Sequence, residues 1–347
     1  VTEAGAQLST RLTERLGIRH PVLLGGMGSG TGPALVAAVS EAGGLGIQGC
    51  VGRSPAEIAA LAAAVRAATA RPFGLNLLLF LADAAAVAAV LAARPAVVST
   101  AWARPEDDLD GLFARVHDAG ARVVHMVSTV AEARRAAAAG ADVVVAQGTE
   151  GGGHVGLMGT MVLAPLVARA LPQLPVLAAG GVADGAGLAA ALMLGCDGVL
   201  LGTRFLATPE APLPDGLKRA IVDSDGHHTL LTELPDVASG NVWPGAYARV
   251  ERNRFVETWL GREGELRARR AEVAARLRRA WEAGDAAEAV LYTGQTAGLI
   301  DAVEPAAAVV ARVVAEAAAL LGERAPALLA GGAPGDPAIT PALRGAP

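Results

Sequence analysis

Apolar and polar positions along this chain repeat as one unit, a short run of Val, Leu and Ala followed by a longer stretch with helical spacing. Eight such runs are legible: Pro21–Met27, Leu45–Cys50, Phe73–Leu79, Ala96–Ala101, Arg122–Val127, Asp142–Gly148, Pro175–Gly181 and Gly198–Thr203. Each is bounded by turn residues, the pattern of strands buried on both faces of a parallel sheet. The stretches between them carry helix signals. Ser54-Pro-Ala-Glu57 is a capping box with proline in the first turn, and Asp184 and Gly195 bracket a further helix as cap and stop.

Eight strand-then-helix units at a spacing of about 25 residues predict an α/β fold, a closed (β/α)8 TIM barrel. A doubly wound open sheet is the alternative. The first strand ends in Gly25-Gly-Met-Gly28, which does not fit the Gly-x-Gly-x-x-Gly turn expected of many such sheets. Before the first strand, Leu8 to Arg19 reads as a lead-in helix able to plug the barrel floor.

Beyond Thr203 the regularity stops. Residues 207–294 are too long for a loop and predict an inserted cap or small second domain after the last strand, with a charged helix from Gly264 to Ala283. The helix Pro305–Leu321 then returns to the barrel. The expected barrel is therefore 1–206 plus 295–322, with a flexible tail over 323–347, where Pro, Gly and Ala dominate.

Composition narrows the functional classes. Hydrophobic residues make up 52% of the 347 but aromatics only 3%, so Ala, Val and Leu must build the core. A net charge of −5 and the absence of a basic stripe argue against nucleic acid. The two cysteines, Cys50 and Cys196, lack partners at metal spacing and read as small buried hydrophobes. No leader pattern opens the sequence, and no apolar window reaches the ~20 residues of a membrane helix, so a cytoplasmic protein is expected. Nothing fixes an oligomeric state, and a homodimer is compatible with everything above.

The candidate chemistry lies between Asp142 and Thr203. If the last two runs are barrel strands seven and eight, Gly180, Gly181, Gly202 and Thr203 form a phosphate cup, because loops after those strands commonly hold phosphate. His154, in the glycine-rich loop Thr149–Gly156, faces the same mouth. A lone histidine is often only a satisfied polar residue, but at a strand end it can act as general base or hydrogen-bond donor. Asn76 and Gln147 interrupt apolar runs. They either fix a neighbouring loop or contact a planar heterocycle, since a buried unpaired amide costs ~1–3 kcal/mol. Glu150 is placed either to position His154 or to sit exposed. His227 and His228 read as solvated, His20 and His117 as structural, and His125 is left open. No metal-binding constellation is present in the sequence.

Seven motifs in order give the chain a family resemblance: Gly25-Gly-Met27, Phe73-Gly-Leu-Asn76, Ala146-Gln-Gly-Thr-Glu-Gly-Gly-Gly-His154, Ala178-Ala-Gly-Gly-Val-Ala-Asp-Gly185, Leu201-Gly-Thr-Arg-Phe205, Arg252-Asn-Arg-Phe255 and Tyr292-Thr-Gly-Gln-Thr-Ala-Gly-Leu299. The chain resembles the nitronate monooxygenase (2-nitropropane dioxygenase) family of FMN-dependent TIM barrels. The resemblance implies FMN as cofactor and His154 as catalytic residue. It implies phosphate contacts from Gly180, Gly181, Gly202 and Thr203. Gly26, Met27, Asn76, Gln147, Gly152 and Leu201 fall at positions around the flavin ring and ribityl chain.

The implied reaction is oxidation of an alkyl nitronate, in some members a nitroalkane, by O2 to a carbonyl compound and nitrite. FMN-dependent enoyl-ACP reductases and NADH:quinone reductases share nearly the same motifs, so an NAD(P)H-dependent reductase is the alternative. Two departures stand out: Glu150-Gly-Gly-Gly-His replaces Glu-Ala-Gly-Gly-His, and Leu200-Leu-Gly-Thr203 replaces Gln-Met-Gly-Thr. The few aromatics of the cap segment, Trp243, Tyr247, Phe255 and Trp259, point to a small or aliphatic substrate.

Overall fold

The computed structural model describes residues 8–329. It contains eleven strands among those residues. β1 (Val22–Leu24), β2 (Gly46–Gly49), β3 (Phe73–Leu78), β4 (Val97–Ala101), β5 (Arg122–Val127) and β6 (Val143–Gln147) open a parallel sheet. β7 (Gly153–Val155) leaves it, and β8 (Val176–Ala179) and β9 (Gly198–Leu201) complete it. β10 (Thr229–Thr232) and β11 (Tyr247–Glu251) lie outside.

The eight parallel strands run in the order β1-β9-β8-β6-β5-β4-β3-β2. Leu23 bridges Leu45, and the bonds Leu24 N to Leu45 O (2.9 Å) and Leu45 N to Val22 O (3.1 Å) join the two ends. The sheet is a closed TIM barrel with a helix between successive strands, as the spacing predicts, and seven of the eight runs are shorter than predicted by one to four residues at their ends.

Two apolar layers follow from the alternation of strand side chains. Leu23, Leu45, Ile47, Val97, Val124, Val143, Val145 and Leu177 fill the interior, where Leu12 and Leu16 of the lead-in helix Arg11–Leu16 join them from below. That helix is tied down by Arg11, whose guanidinium donates to both carboxylate oxygens of Asp197. Val22, Leu24, Leu75, Val98, Val123, Val144 and Val199 face the surrounding helices. The inward positions nearest the C-terminal rim break the apolar run at Asn76, Ser99 and Gln147, the last two following Val97 and Val145 along the same face. The final helix, Ala306–Ala319, packs against Gly185–Met193 and Pro33–Glu41, so it takes the place of the helix after the eighth barrel strand.

Residues between β9 and that helix have a core of their own. Leu234, Ala248, Val250, Phe255, Trp259, Leu266 and Val273 cluster around the antiparallel pair β10–β11. The charged helix expected over Gly264–Ala283 is two helices, Glu263–Ala268 and Arg270–Ala283, which meet at Arg269. Leu320–Leu329 continues in helical turns; the rest of the tail expected to be flexible lies outside the described residues.

The cysteines are buried and unpaired, and desolvation pushes the Cys50 thiol up to about 11 and the Cys196 thiol up to about 12, so both stay protonated. No helix among the described residues is long and apolar enough to cross a membrane.

His125 points outward from β5 against Phe113, with Nδ1 2.7 Å from the Thr100 hydroxyl. Burial pushes it down to about 4, with the charge of Arg135 adding to the effect. The folded ring is therefore neutral at a pH where the unfolded chain, titrating near 6.5, already takes up a proton. The unfolded state binds more protons between these values, so stability falls as pH drops from about 6.5 towards 4, by roughly 3 kcal/mol for this one group. Denaturation of His125→Gln at pH 7 and pH 4.5 should show a smaller acid loss than the parent protein by that order. Equal losses would mean the buried ring is not neutral.

Candidate active site

The site is assembled where the chain leaves β6. Gly148 N bonds Ala179 O (2.9 Å), and the turn closes with Gly151 N to Gly148 O. Glu150 does not reach His154: its carboxylate accepts from the backbone N–H and hydroxyl of Thr160, at 2.9 to 3.0 Å, and pins the loop to the next helix. The chain then enters β7, which pairs antiparallel with β11, His154 opposite Ala248. The glycine-rich loop expected from sequence thus ends as the edge strand of the outer sheet. Arg249 of β11 strengthens the link by donating to Thr149 O at 2.8 Å.

Glycines make this junction possible. A Cβ on Gly152 would lie 2.6 Å from Gly294 N, and one on Gly180 would lie 2.7 Å from Gly148 O and 2.9 Å from Gly151 N. Gly180 and Gly181 also adopt left-handed backbone, with φ of +83° and +73°. Gly294 N donates to Thr203 Oγ1 at 3.0 Å, and Met27 Sδ lies 3.3 Å from the Cβ position of Gly202. Gly26 packs directly on the Asn76 side chain, whose Nδ2 donates to Ser99 Oγ at 3.1 Å.

Met27, Gly152, Gly180, Gly181, Gly202 and Thr203 are therefore linked around one rim, with Gly26 and Asn76 beside them. Leu201 differs. Its side chain belongs to the outer core, and its carbonyl accepts from Gly25 N, so only its backbone is available to a ligand.

Four buried polar atoms in this region have no hydrogen-bond partner among the described residues: Gln147 Oε1, Thr149 Oγ1, Thr293 Oγ1 and Trp243 Nε1. Orphaned acceptors and hydroxyls around a glycine-lined rim are what a polar, phosphate-bearing ligand would satisfy. The residues present therefore fit the flavin expected from the sequence.

His154 is held on two sides. Nε2 lies 2.8 Å from Asp236 Oδ1, with both side chains about nine-tenths buried. The Trp243 indole stacks on the imidazole, ring centroids 3.3 Å apart and planes 9° from parallel. Tyr292 lies 5.7 Å away, and Phe80 and Trp102 pack on Trp243 at 4.5 and 6.0 Å. Trp243 and Tyr292 thus lie against the histidine ring, with Phe80 and Trp102 packed on Trp243 behind them. Phe80 and Trp102 reach this cluster from the ends of β3 and β4, and Tyr292 from the last residues of the 207–294 segment that also carries Trp243. Trp102 does so with a left-handed backbone, φ +58°, a cost a non-glycine residue bears only where its surroundings enforce it. Burial, then the charge of Asp236, pushes the Tyr292 phenol up and keeps it protonated, although 36% of the residue is exposed; the crowding is around its hydroxyl.

A small cavity of about 30 Å³, room for little more than a water molecule, lies beside Gln147, Met126, Trp102 and Pro244. A ring-sized ligand could stack on the Trp243-covered face of His154 only after Trp243 moves.

A family model described as nitronate monooxygenase matches residues 9–92 and 81–316, nearly the whole described chain. The chain belongs to the nitronate monooxygenase family. Nitronate monooxygenase of Pseudomonas aeruginosa is 35% identical over 274 residues, 65% of this chain and 77% of that protein. Higher identity, 40% over 253 residues, 72% of this chain and 68% of the relative, is found with (3aS,4S,5R,7aS)-5-hydroxy-7a-methyl-1-oxo-octahydro-1H-indene-4-carboxyl-CoA dehydrogenase of Mycobacterium tuberculosis. Among solved structures, FabK from Thermotoga maritima superposes with a TM-score of 0.82 at 34% identity, covering 92% of this chain and 99% of that one. The relatives are named as oxidoreductases, and this member of the nitronate monooxygenase family is an oxidoreductase as well.

Sequence reading missed Asp236 and gave no role to Trp102, Tyr292 or Phe80. Asp236 looks like an ordinary acid in the first turn of the helix Leu234–Ser239, and no spacing rule links it to a histidine 82 residues away.

The crowding at Gly180 can be tested apart from its backbone strain. Gly180→Ala should lower stability by about 1–3 kcal/mol, from strain plus the clash with Gly148 O. Gly52→Ala, where φ is +69° but nothing lies within 4 Å of the added Cβ, should cost only the strain, about 1 kcal/mol. Equal losses in denaturant titrations would deny the close approach.

Proposed function

We propose that the protein is an FMN-dependent enzyme that oxidises alkyl nitronates, and the parent nitroalkanes, with O2 as acceptor, giving a carbonyl compound and nitrite. The observation that carries this reading is His154, a buried imidazole set against a carboxylate at the mouth of the barrel, among aromatic side chains and beside a glycine-lined rim. Such a group can take a proton from a carbon acidified by a nitro group.

In this reading Gly180, Gly181, Gly202 and Thr203 hold the FMN phosphate. Gly26, Met27, Asn76, Gln147, Gly152 and the backbone of Leu201 line the ring and ribityl chain. FMN, when bound, supplies the electron acceptor. Residues 207–294 act as the cap domain over a barrel formed by 1–206 and 295–322. The apolar wall of Phe80, Trp102, Trp243 and Tyr292 keeps water from the substrate carbon.

A second reading has its own support. The 40% identity to a carboxyl-CoA dehydrogenase favours proton removal next to a thioester carbonyl by the same histidine.

The test is anaerobic mixing of the FMN-loaded protein with ethylnitronate, nitroethane, an acyl-CoA, NADH and NADPH in turn, following flavin absorbance. Bleaching by nitronate, with nitrite released on admitting air, is the expected result. Bleaching by acyl-CoA alone would select the second reading, and bleaching by a nicotinamide alone would make the protein a reductase. In His154→Ala, reduction by nitroethane should slow by about 10²-fold or more, while ethylnitronate, already deprotonated, should lose less. Equal losses would give His154 an electrostatic role instead of that of a base.

A further inference from the structure

Among the described residues Asp236 is the one carboxylate that bonds His154, and the fold delivers it from a separate element. It sits in the helix Leu234–Ser239, which packs on Glu263–Ala268 and Arg270–Ala283, while His154 sits in β7. Its backbone is fixed at both ends: Asp236 N donates to Glu233 O, and Asp236 O accepts from Gly240 N. Its side chain forgoes the helix N-terminus and reaches His154 Nε2.

A carboxylate can only accept, so this bond requires the hydrogen to be on Nε2. The lone pair is then left on Nδ1, which makes no hydrogen bond to any described residue. Stacking of Trp243 on the ring prevents the imidazole from turning over and presenting Nε2 to a substrate.

We propose that Asp236 is a positioning residue that fixes the Nε2–H tautomer of His154, so that Nδ1 is the atom that takes the substrate proton. In that step the substrate C–H bond breaks, its electron pair stays on carbon, and the proton passes to Nδ1. The imidazolium formed is stabilised by Asp236 at its other edge and by the face of Trp243. The proton-transfer part rests on the nitroalkane reading; the tautomer does not.

The deciding experiment is a ¹H–¹⁵N long-range correlation spectrum of the full-length protein labelled at histidine nitrogen, with His154 assigned by comparison with His154→Gln. At pH 7.5 the expected pattern is a protonated Nε2 and a bare Nδ1. In Asp236→Leu, which leaves Nε2 without an acceptor, the preference for the Nε2–H form should be lost. A parent protein with the hydrogen on Nδ1, or an unchanged preference in Asp236→Leu, overturns the proposal.

Kinetics provide a readout that a purely structural role would not move. Asp236→Asn with unchanged melting temperature and FMN content should reduce the nitroethane rate about 10²-fold or more while changing the ethylnitronate rate less than about fivefold, and Asp236→Glu should restore part of the loss. Parallel losses on both substrates would overturn the positioning role. If the parent protein reacts with neither nitro compound, the function reading fails while the nitrogen spectra still decide the tautomer.

Discussion

The pairing of β7 with β11 is the contact on which the site depends. A barrel strand normally hands its chain straight to the next helix, with functional groups on the connecting loop. Here the connection makes a detour and becomes an edge strand of another sheet, so His154 is held by antiparallel pairing opposite Ala248 as well as by the barrel. Strand pairing fixes side-chain direction with a period of two, which a free glycine-rich loop cannot do. The histidine is therefore rigid because the outer sheet exists, and the outer sheet has a place to dock because the loop supplies its third strand.

That arrangement demands close approach of four backbone segments: 148–152, 180–181, 202–203 and 293–295. Side chains would hold them apart by several ångströms. Glycine at 152, 180 and 294 lets them touch, with Cβ positions that would lie within 3 Å of a neighbouring backbone atom. The cost is conformational freedom lost by glycine on folding, offset by the bonds Gly294 N to Thr203 Oγ1 and Gln295 N to Glu150 O that lock the segments together. Glu150 contributes in the same sense, since its two bonds to Thr160 stop the loop from lifting away. The rim and the base thus form one rigid unit.

Most of the barrel was legible in the sequence because each of its strands is buried on both faces and reads as an apolar run, with Ser54 and Asp184 capping helices where the pattern places helix starts. His154 and the glycines were legible for a related reason. A polar or Cβ-free residue in a position that otherwise calls for Val or Leu needs a local explanation. Asp236 and the aromatic group were not, since their meaning lies in contacts between residues distant in sequence. Trp243 is near Asp236 in the chain, but Phe80, Trp102 and Tyr292 come from three other places, and only closure of the barrel brings them to one mouth. The break at Arg269 in the helix expected over 264–283 was hidden in the same way: no Gly or Pro marks it, and Leu266 and Val273 on either side of it pack into one cluster.

The two substrate classes weighed above ask different things of the same histidine. A nitro group carries the charge left by a departing proton on its own two oxygens, so a held base and a dry pocket suffice. A thioester stabilises that charge poorly unless hydrogen-bond donors meet its carbonyl oxygen. The mouth holds two donors without a protein partner among the described residues, the buried Trp243 Nε1–H and the Tyr292 hydroxyl, which stays protonated beside Asp236. Both belong to side chains already in ring contact with His154. On the proposed role of His154 as base, the placement of these two donors, rather than the histidine, separates the two substrates.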